Sequence, residues 1–405
     1  FGDALFTATS ATCVTGLVLH DTALYWSPFG QLVILLLIQV GGMGVVTIAV
    51  AIFMFAGKRI GLKQRWVMQE SISAPQVGGI VRMTGFILKT AFLIEGIGAL
   101  LLALRFCPQF GLGRGLWYAV FHSVSAFCNA GFDLMGVNSP FSSLTDYVGD
   151  PLVSNVIAFL IIIGGVGFLT WNDIREHKLH FRRYRLQSKL ILTTTLALIL
   201  TGLLFFLLYE FEQGQWVDMS LWERINAAFF QSVTPRTAGF NTVDLTGLSQ
   251  PAQLLIILLM LVGGSPGSTA GGFKTTTLAV MLLGIRAVFR HKERPQCFGR
   301  RIADESIRNA SAIFLLYLLL FLTGGILICC IDGVHLMAAL FEAASAIGTV
   351  GLSLGSTPEL SGASRLILIF LMYFGRVGGL TMIYAVTAKG APELSQFPQE
   401  RVTIG

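Results

Sequence analysis

The chain has 405 residues, of which 54% are apolar and only 12% charged, and its net charge is +6. A soluble globular domain carries roughly 25% charged residues, so about half the usual charge is missing and a water-soluble single domain is excluded. The six cysteines (Cys13, Cys107, Cys128, Cys297, Cys329, Cys330) show no paired metal-ligand spacing and no secreted disulfide framework, and read as small apolar residues of a membrane protein.

Taken from the N-terminus, the chain predicts one unit used four times. A pore-length helix is expected near Gly2–Ser10, a glycine element at Val14–Leu17, and a spanning helix over Phe29–Phe55. Next come a span at Met83–Leu104, the segment FHSVSAFCNAGF from Phe121, and a span at Leu152–Thr170. The third unit has a span at Leu190–Leu208, the segment FFQSVTPRTAGF from Phe229, and a second helix broken by glycines. The fourth has a span at Ser311–Ile331, the segment FEAASAIGTVGL from Phe341, and a span at Leu366–Ala388. A helix needs about 20 mostly apolar residues to cross a bilayer, and the shorter apolar segments read as re-entrant.

The four short segments, beginning with FTATSATCVTGL at Phe6, align without a gap. Phe6, Phe121, Phe229 and Phe341 each precede Gly16, Gly131, Gly239 and Gly351 by ten residues. The glycines are 131 − 16 = 115, 239 − 131 = 108 and 351 − 239 = 112 residues apart, a near-constant period that argues for internal duplication. The expected organisation is repeat one over 1–79, repeat two over 80–187, repeat three over 188–305, repeat four over 306–390, and a cytoplasmic tail over 391–405. Only repeat one lacks a span before its pore segment, so its first helix is expected to be missing from this chain. The expected fold class is an all-α membrane protein, with four pseudo-symmetric helix–pore loop–helix repeats around one central pore.

Charge placement predicts orientation. Lys58, Arg59, Lys63 and Arg65 form one basic cluster. Arg175, Lys178, Arg182, Arg183, Arg185 and Lys189 form a second, and Arg286, Arg290, Lys292, Arg294, Arg300, Arg301 and Arg308 a third. Each lies between two repeats, which makes these loops cytoplasmic by the positive-inside rule. The glycine elements then open outward. The hydrophobic flanks set aside a nucleic-acid role for the basic clusters.

Irregular backbone at membrane depth is tolerated only where protein or a watery cavity surrounds it. The four glycine elements should therefore face a common cavity. A dehydrated cation can be held there by carbonyl oxygens, and glycine permits the positive φ that aims them inward. The predicted filter is Val14, Thr15 and Gly16; Asn129, Ala130 and Gly131; Thr237, Ala238 and Gly239; and Thr349, Val350 and Gly351. No carboxylate lies in these elements, which favours a monovalent cation. Asn129 and Val14 break the four-fold identity of the side chains, so discrimination against sodium should be weaker than in a homotetrameric channel.

The second helices also carry glycine pairs. Close packing of small residues explains them in repeats one and two. In repeat three, Gly263, Gly264, Ser265, Pro266, Gly267, Ser268, Thr269, Ala270, Gly271 and Gly272 cannot hold a helix, and broken helices mark sites in transporters. Arg376 lies in an apolar helix, where a charge is functional by default. Its donors can bind the exposed carbonyls of the loop and its charge can repel a cation on the axis. Lys274 is read either as part of a gate or as snorkelling to the cytoplasm. Arg236 is expected to bond pore-loop carbonyls, Glu95 to need a structural partner, and His122 and Glu342 to pack behind the pore helices.

An intramembrane enzyme would need a catalytic set; no HExxH is present, and the six histidines lie mostly near loops or helix ends. A carrier for a larger solute would show two inverted halves with paired broken helices, which this chain lacks. The motifs at Ala11–Leu17, Gln231–Asn241, Gly263–Lys274 and Gly375–Gly379 make the chain resemble the Trk/Ktr/HKT superfamily of potassium uptake proteins along essentially its whole length. The resemblance implies potassium selectivity, because plant relatives with serine in place of the first glycine favour sodium. It implies an intramembrane gate at Gly263–Gly272 touched by Arg376. It also implies a homodimer in the plasma (inner) membrane lipid bilayer, seated on a cytosolic ring of nucleotide-binding regulatory subunits. No cofactor is expected beyond K+ bound in the filter. The alternative is a sodium- or proton-coupled symporter of the same fold.

Overall fold

Helix starts follow from the chain's capping chemistry, and helix stops from its glycines. The computed structural model describes residues 1–44, 80–137, 139–178, 180–292 and 294–378. The basic cluster from Lys58 to Arg65, Gly379 and the tail lie outside the described residues. Repeat one contributes α1 (Gly2–Cys13) and α2 (Pro28–Met43). Repeat two contributes α3 (Ile80–Phe110), α4 (Leu112–Phe127), α5 (Pro151–Val166) and α6 (Phe168–His177). Repeat three contributes α7 (Leu186–Phe205), α8 (Leu221–Val233), α9 (Gln250–Leu261) and α10 (Thr275–Phe289). A short hairpin, β1 (Gln296–Cys297) and β2 (Arg300–Arg301), leads to α11 (Asp304–Asp332), α12 (Leu336–Gly348) and α13 (Gly362–Val377).

Three second helices begin alike, with a side-chain cap followed by proline in the first turn. Ser27 before Pro28, Asp150 before Pro151 and Ser249 before Pro251 each accept backbone N–H groups of the first turn. The pore-length helix α8 opens with a capping box between Ser220 and Glu223. The Ser220 N–H and hydroxyl hold the exposed Glu223 carboxyl below its usual range.

Helices α3, α11 and α7 with its continuation to Glu210 are long and apolar enough to cross a membrane. Each leaves a leucine-rich stripe exposed, such as Leu196, Leu200 and Leu204 on α7 and Leu315, Leu319 and Ile326 on α11. Such stripes are the lipid-facing side of a spanning helix. Inside this ring α3 packs on α4 and α5, α7 on α8 and α10, and α11 on α12 and α13. The first and last repeats meet where α1 packs against α13, with Arg365 3.2 Å from Asp3.

The second helices differ from the continuous spans expected at Phe29–Phe55, Leu152–Thr170 and Leu366–Ala388. Helix α5 stops at Gly167, whose φ is +97°, and α6 leaves at 93° to it. Helix α2 ends at Gly44 and α13 at Gly378, with φ of +84° and +89°. The break foreseen only in repeat three thus has a counterpart in repeat two, and the helices of repeats one and four stop at the equivalent glycine, beyond which the expected spans lie outside the described residues. The packing role foreseen for these glycines holds beside it. A Cβ on Gly41 would lie 2.1 Å from Thr12 O, one on Gly164 2.1 Å from Phe127 O, and one on Gly375 2.2 Å from Ile347 O. No larger residue fits between these helices and the ends of the pore-length helices.

Candidate functional site

Each pore-length helix ends by turning its chain left-handed. Val14, Asn129, Thr237 and Thr349 have φ of +57°, +59°, +67° and +51°, and the glycines two residues later have +92°, +70°, +81° and +94°. Alternating handedness turns successive carbonyls to the same side of each segment. A β-branched residue in this region costs about 1–3 kcal/mol, a strain kept only where the surroundings impose it. The intervening N–H groups return to the helix ends: Thr15 N to Ser10 O, Ala130 N to Ser125 O and Val350 N to Ser345 O, each at 2.8 Å. Val14 and Val350 are buried away from solvent.

The four glycines form a closed ring. A Cβ on Gly16 would lie 2.4 Å from Ala130 O, and one on Gly131 2.7 Å from Ala238 O. One on Gly239 would lie 2.4 Å from Val350 O, and one on Gly351 2.3 Å from Thr15 O. Each repeat therefore abuts the next, and the fourth returns to the first. The helix C-termini behind the ring carry partial negative charge toward it.

Repeat three does not align without a gap. Its fully buried phenylalanine is Phe230, matching Phe6, Phe121 and Phe341, while Phe229 is only partly buried. The hydroxyl four residues later is then Thr234, matching Ser10, Ser125 and Ser345. From that hydroxyl to the glycine the count is 239 − 234 = 5 in repeat three but 16 − 10, 131 − 125 and 351 − 345 = 6 elsewhere. The return bond shortens to match, Ala238 N reaching Thr234 O at 3.0 Å. The doubled Phe229-Phe230 hides the deletion in sequence.

These four hydroxyls, which sequence reasoning missed, hold the elements from behind. Ser10 and Ser345 accept from the N–H of Gly16 and Gly351, at 3.1 and 3.0 Å. Ser125 and Thr234 donate to the carbonyls of Phe132 and Phe240. The signal was a hydroxyl four residues after each buried phenylalanine. His122 and Glu342, one residue after theirs, are fully buried. They accept from the N–H of Leu134 and Leu354, tying the chain beyond the glycine back to its helix.

On one side of the ring lies a cavity of about 430 Å³ lined by all four glycines. Its described lining carries Asp21, Asp133, Asp244 and Glu359 and no basic residue. On the other side lies the Gly263–Gly272 loop, closed by its own backbone bonds, Gly263 N to Phe273 O at 2.8 Å and Thr275 N to Gly264 O at 3.1 Å. It docks on α5 through Ser265 N to Gly165 O at 3.0 Å. Arg376 donates to Thr269 O on the loop and to Gly41 O and Gly42 O on α2, so it joins the loop to two helices. Lys274 turns back onto the loop, its Nζ 2.9 Å from Ala270 O and 3.3 Å from Gly271 O.

One expectation changes and one is met. Among the described residues Arg236 bonds no pore-loop carbonyl; its Nη2 donates to the Thr195 hydroxyl at 3.3 Å, because the spanning helix α7 packs against α8 and offers that hydroxyl. Glu95 finds its partners in the Gln39 amide, at 3.1 Å, and the Cys128 thiol.

A closed ring of four glycine segments, with an acidic cavity on one side and a docked loop on the other, sits among helices apolar enough to cross a membrane, as in a membrane transport protein. The chain belongs to the TrkH family of cation transport proteins, whose family model matches residues 1–393. It is 40% identical to the Ktr system potassium uptake protein B of Bacillus subtilis, over 100% of this chain and 89% of that protein. It is 39% identical to the potassium/sodium uptake protein NtpJ of Enterococcus hirae, over 100% of this chain and 90% of that one. The crystal structure of the potassium transporter TrkH from Vibrio parahaemolyticus shares the fold, with a TM-score of 0.73 at 20% identity over 95% of this chain and 78% of that one. These relatives are transport proteins, not enzymes.

Proposed function

We propose that this chain is the potassium-translocating membrane subunit of a Ktr/Trk-type uptake system, with the four glycine elements as its selectivity filter and the Gly263–Gly272 loop, held by Arg376 and Lys274, as its gate. The observation that carries this reading is the closed ring of Gly16, Gly131, Gly239 and Gly351. Carbonyls on such a ring replace the water of a dehydrated cation, and four helix C-termini add favourable potential. Relatives near 40% identity that are named for potassium uptake support K+ as the ion. The basic links at α6–α7 and α10–α11 support a plasma-membrane orientation with the filter outward. A homodimer on a cytosolic nucleotide-binding ring completes the proposal, on the strength of the family.

Rubidium and sodium flux into liposomes tests it. Gly16→Ser is expected to lower the K+/Na+ ratio, because a side chain there meets Ala130 O. Deleting Gly264–Gly271 is expected to raise K+ flux. An unchanged ratio would remove the filter assignment, and unchanged flux in a folded deletant would remove the gate. The name of the Enterococcus hirae relative favours a second reading, sodium-coupled uptake; a potassium flux that tracks an imposed sodium gradient would select it.

A further inference from the structure

The filter and the loop share one buried hydrogen-bonded junction. Asn129 stands where repeats three and four have Thr237 and Thr349 and repeat one has Val14. It is fully buried, and its two amide functions point different ways. Its Nδ2 donates to Thr237 Oγ1 at 3.3 Å, to Arg236 O at 3.4 Å and to Ile161 O on α5 at 3.4 Å. Its Oδ1 accepts from the Thr269 hydroxyl of the loop at 3.1 Å, and that hydroxyl is also 3.0 Å from Phe127 O. Thr269 is itself fully buried, and its carbonyl accepts from Arg376. A Cβ on Gly271 would meet the Thr349 hydroxyl at 2.3 Å, so the loop also presses on the fourth element.

The loop cannot leave without stripping Asn129 Oδ1 and Phe127 O of the one hydroxyl proton they share. A buried acceptor left bare costs more than an ordinary bond gains, so the carboxamide must then reorient. Reorientation disturbs its other bonds, those that set the base of the third filter element. Thr237 and Asn129 are the left-handed residues that start their segments, so any shift there moves the first carbonyls of the filter.

We propose that Asn129 and Thr269 form a filter-to-gate latch, in which loop closure and the alignment of the second and third filter elements are one cooperative event. Asn129 is a positioning residue for selectivity as well as a hold on the gate. This inference rests on reading the loop as the gate. It predicts that release of the loop lowers discrimination between K+ and Na+, a coupling that two independent elements would not show.

Reconstituted protein is compared for resting rubidium flux and K+/Na+ ratio. Thr269→Val keeps the shape and removes the donor; it is expected to raise resting flux about three- to ten-fold, the size of one net hydrogen bond, and to lower the ratio. Thr269→Ser, which keeps the hydroxyl, is expected to match the parent. Asn129→Ala together with Thr269→Val should raise flux no further than either alone. In the Gly264–Gly271 deletant, where the partner of Oδ1 is gone, Asn129→Ala should raise flux less than it does in the intact chain. Fully additive single effects, a Thr269→Val variant equal to the parent, or an Asn129→Ala effect on flux undiminished in the deletant would each overturn the latch. Should Thr269→Val fail to fold, Asn129→Ala in the two backgrounds decides alone. A deletant with unchanged flux would instead remove the gate reading, and the latch with it.

Discussion

At the scale of single residues, Arg376 shows how one side chain can hold a loop that its own backbone only partly fixes. Its two terminal nitrogens reach carbonyls on two separate elements, Thr269 on the loop and Gly41 and Gly42 on α2. A guanidinium does this with a planar fork of donors, whereas an ammonium is a point charge. Arg376→Lys should therefore lose the bridge while keeping the charge. If repulsion of a cation on the axis closes the pore, Arg376→Lys will leave resting flux near that of the parent. If the bridge closes it, flux will rise by about ten-fold or more, since hydrogen bonds to charged groups contribute about 1.5–3 kcal/mol. The geometry favours the second outcome, and rubidium flux beside an Arg376→Gln control distinguishes them. The arginine was legible in sequence as a charge in an apolar helix. Its second anchor on α2 was not, because Gly41 and Gly42 lie more than 330 positions away and contribute only backbone.

At the scale of elements, the sequence made plain what depends on local rules and hid what depends on contact. The pore-length helices, the left-handed glycines and the breakage of repeat three follow from composition and spacing alone. The break after α5 and the ends of α2 and α13 did not, because one glycine in an apolar run can equally serve packing or termination; here the neighbouring positions do both. The one-residue shift in repeat three was masked by two adjacent phenylalanines, of which burial selects Phe230. Pro235 lies inside the shortened turn, between Thr234 and Thr237, where a tighter return bond is made. The side chain of Arg236 was misassigned for a related reason. Sequence places it beside the glycine element, but its guanidinium bonds Thr195 on the neighbouring spanning helix. The Asn129–Thr269 pair is illegible for the plainest reason, since 140 positions separate two residues that only the docking of the loop brings together.

At the scale of the whole molecule, acidic and basic groups are kept apart. The cavity beyond the glycine ring bears Asp21, Asp133, Asp244 and Glu359, while the basic links lie at the opposite ends of the spanning helices. Asp21 is committed to structure, accepting from Ala23 N and Phe141 N. Asp244, which also holds its own turn by accepting from Thr246 N and Oγ1, and Glu359 are exposed, and their charge acts at a distance. Carboxylates in a concave mouth raise the local concentration of cations and so the rate of capture, an effect that salt screens over a Debye length of about 8 Å at physiological ionic strength. Asp244→Asn with Glu359→Gln should therefore slow rubidium entry by about two-fold at low ion concentration. Maximal flux should stay unchanged, because the substituted groups touch the mouth and not the ring. Raising ionic strength with an impermeant salt should erase the difference between variant and parent. A deficit that persists at high salt, or that appears in maximal flux, would mean that these carboxylates shape the filter instead of feeding it.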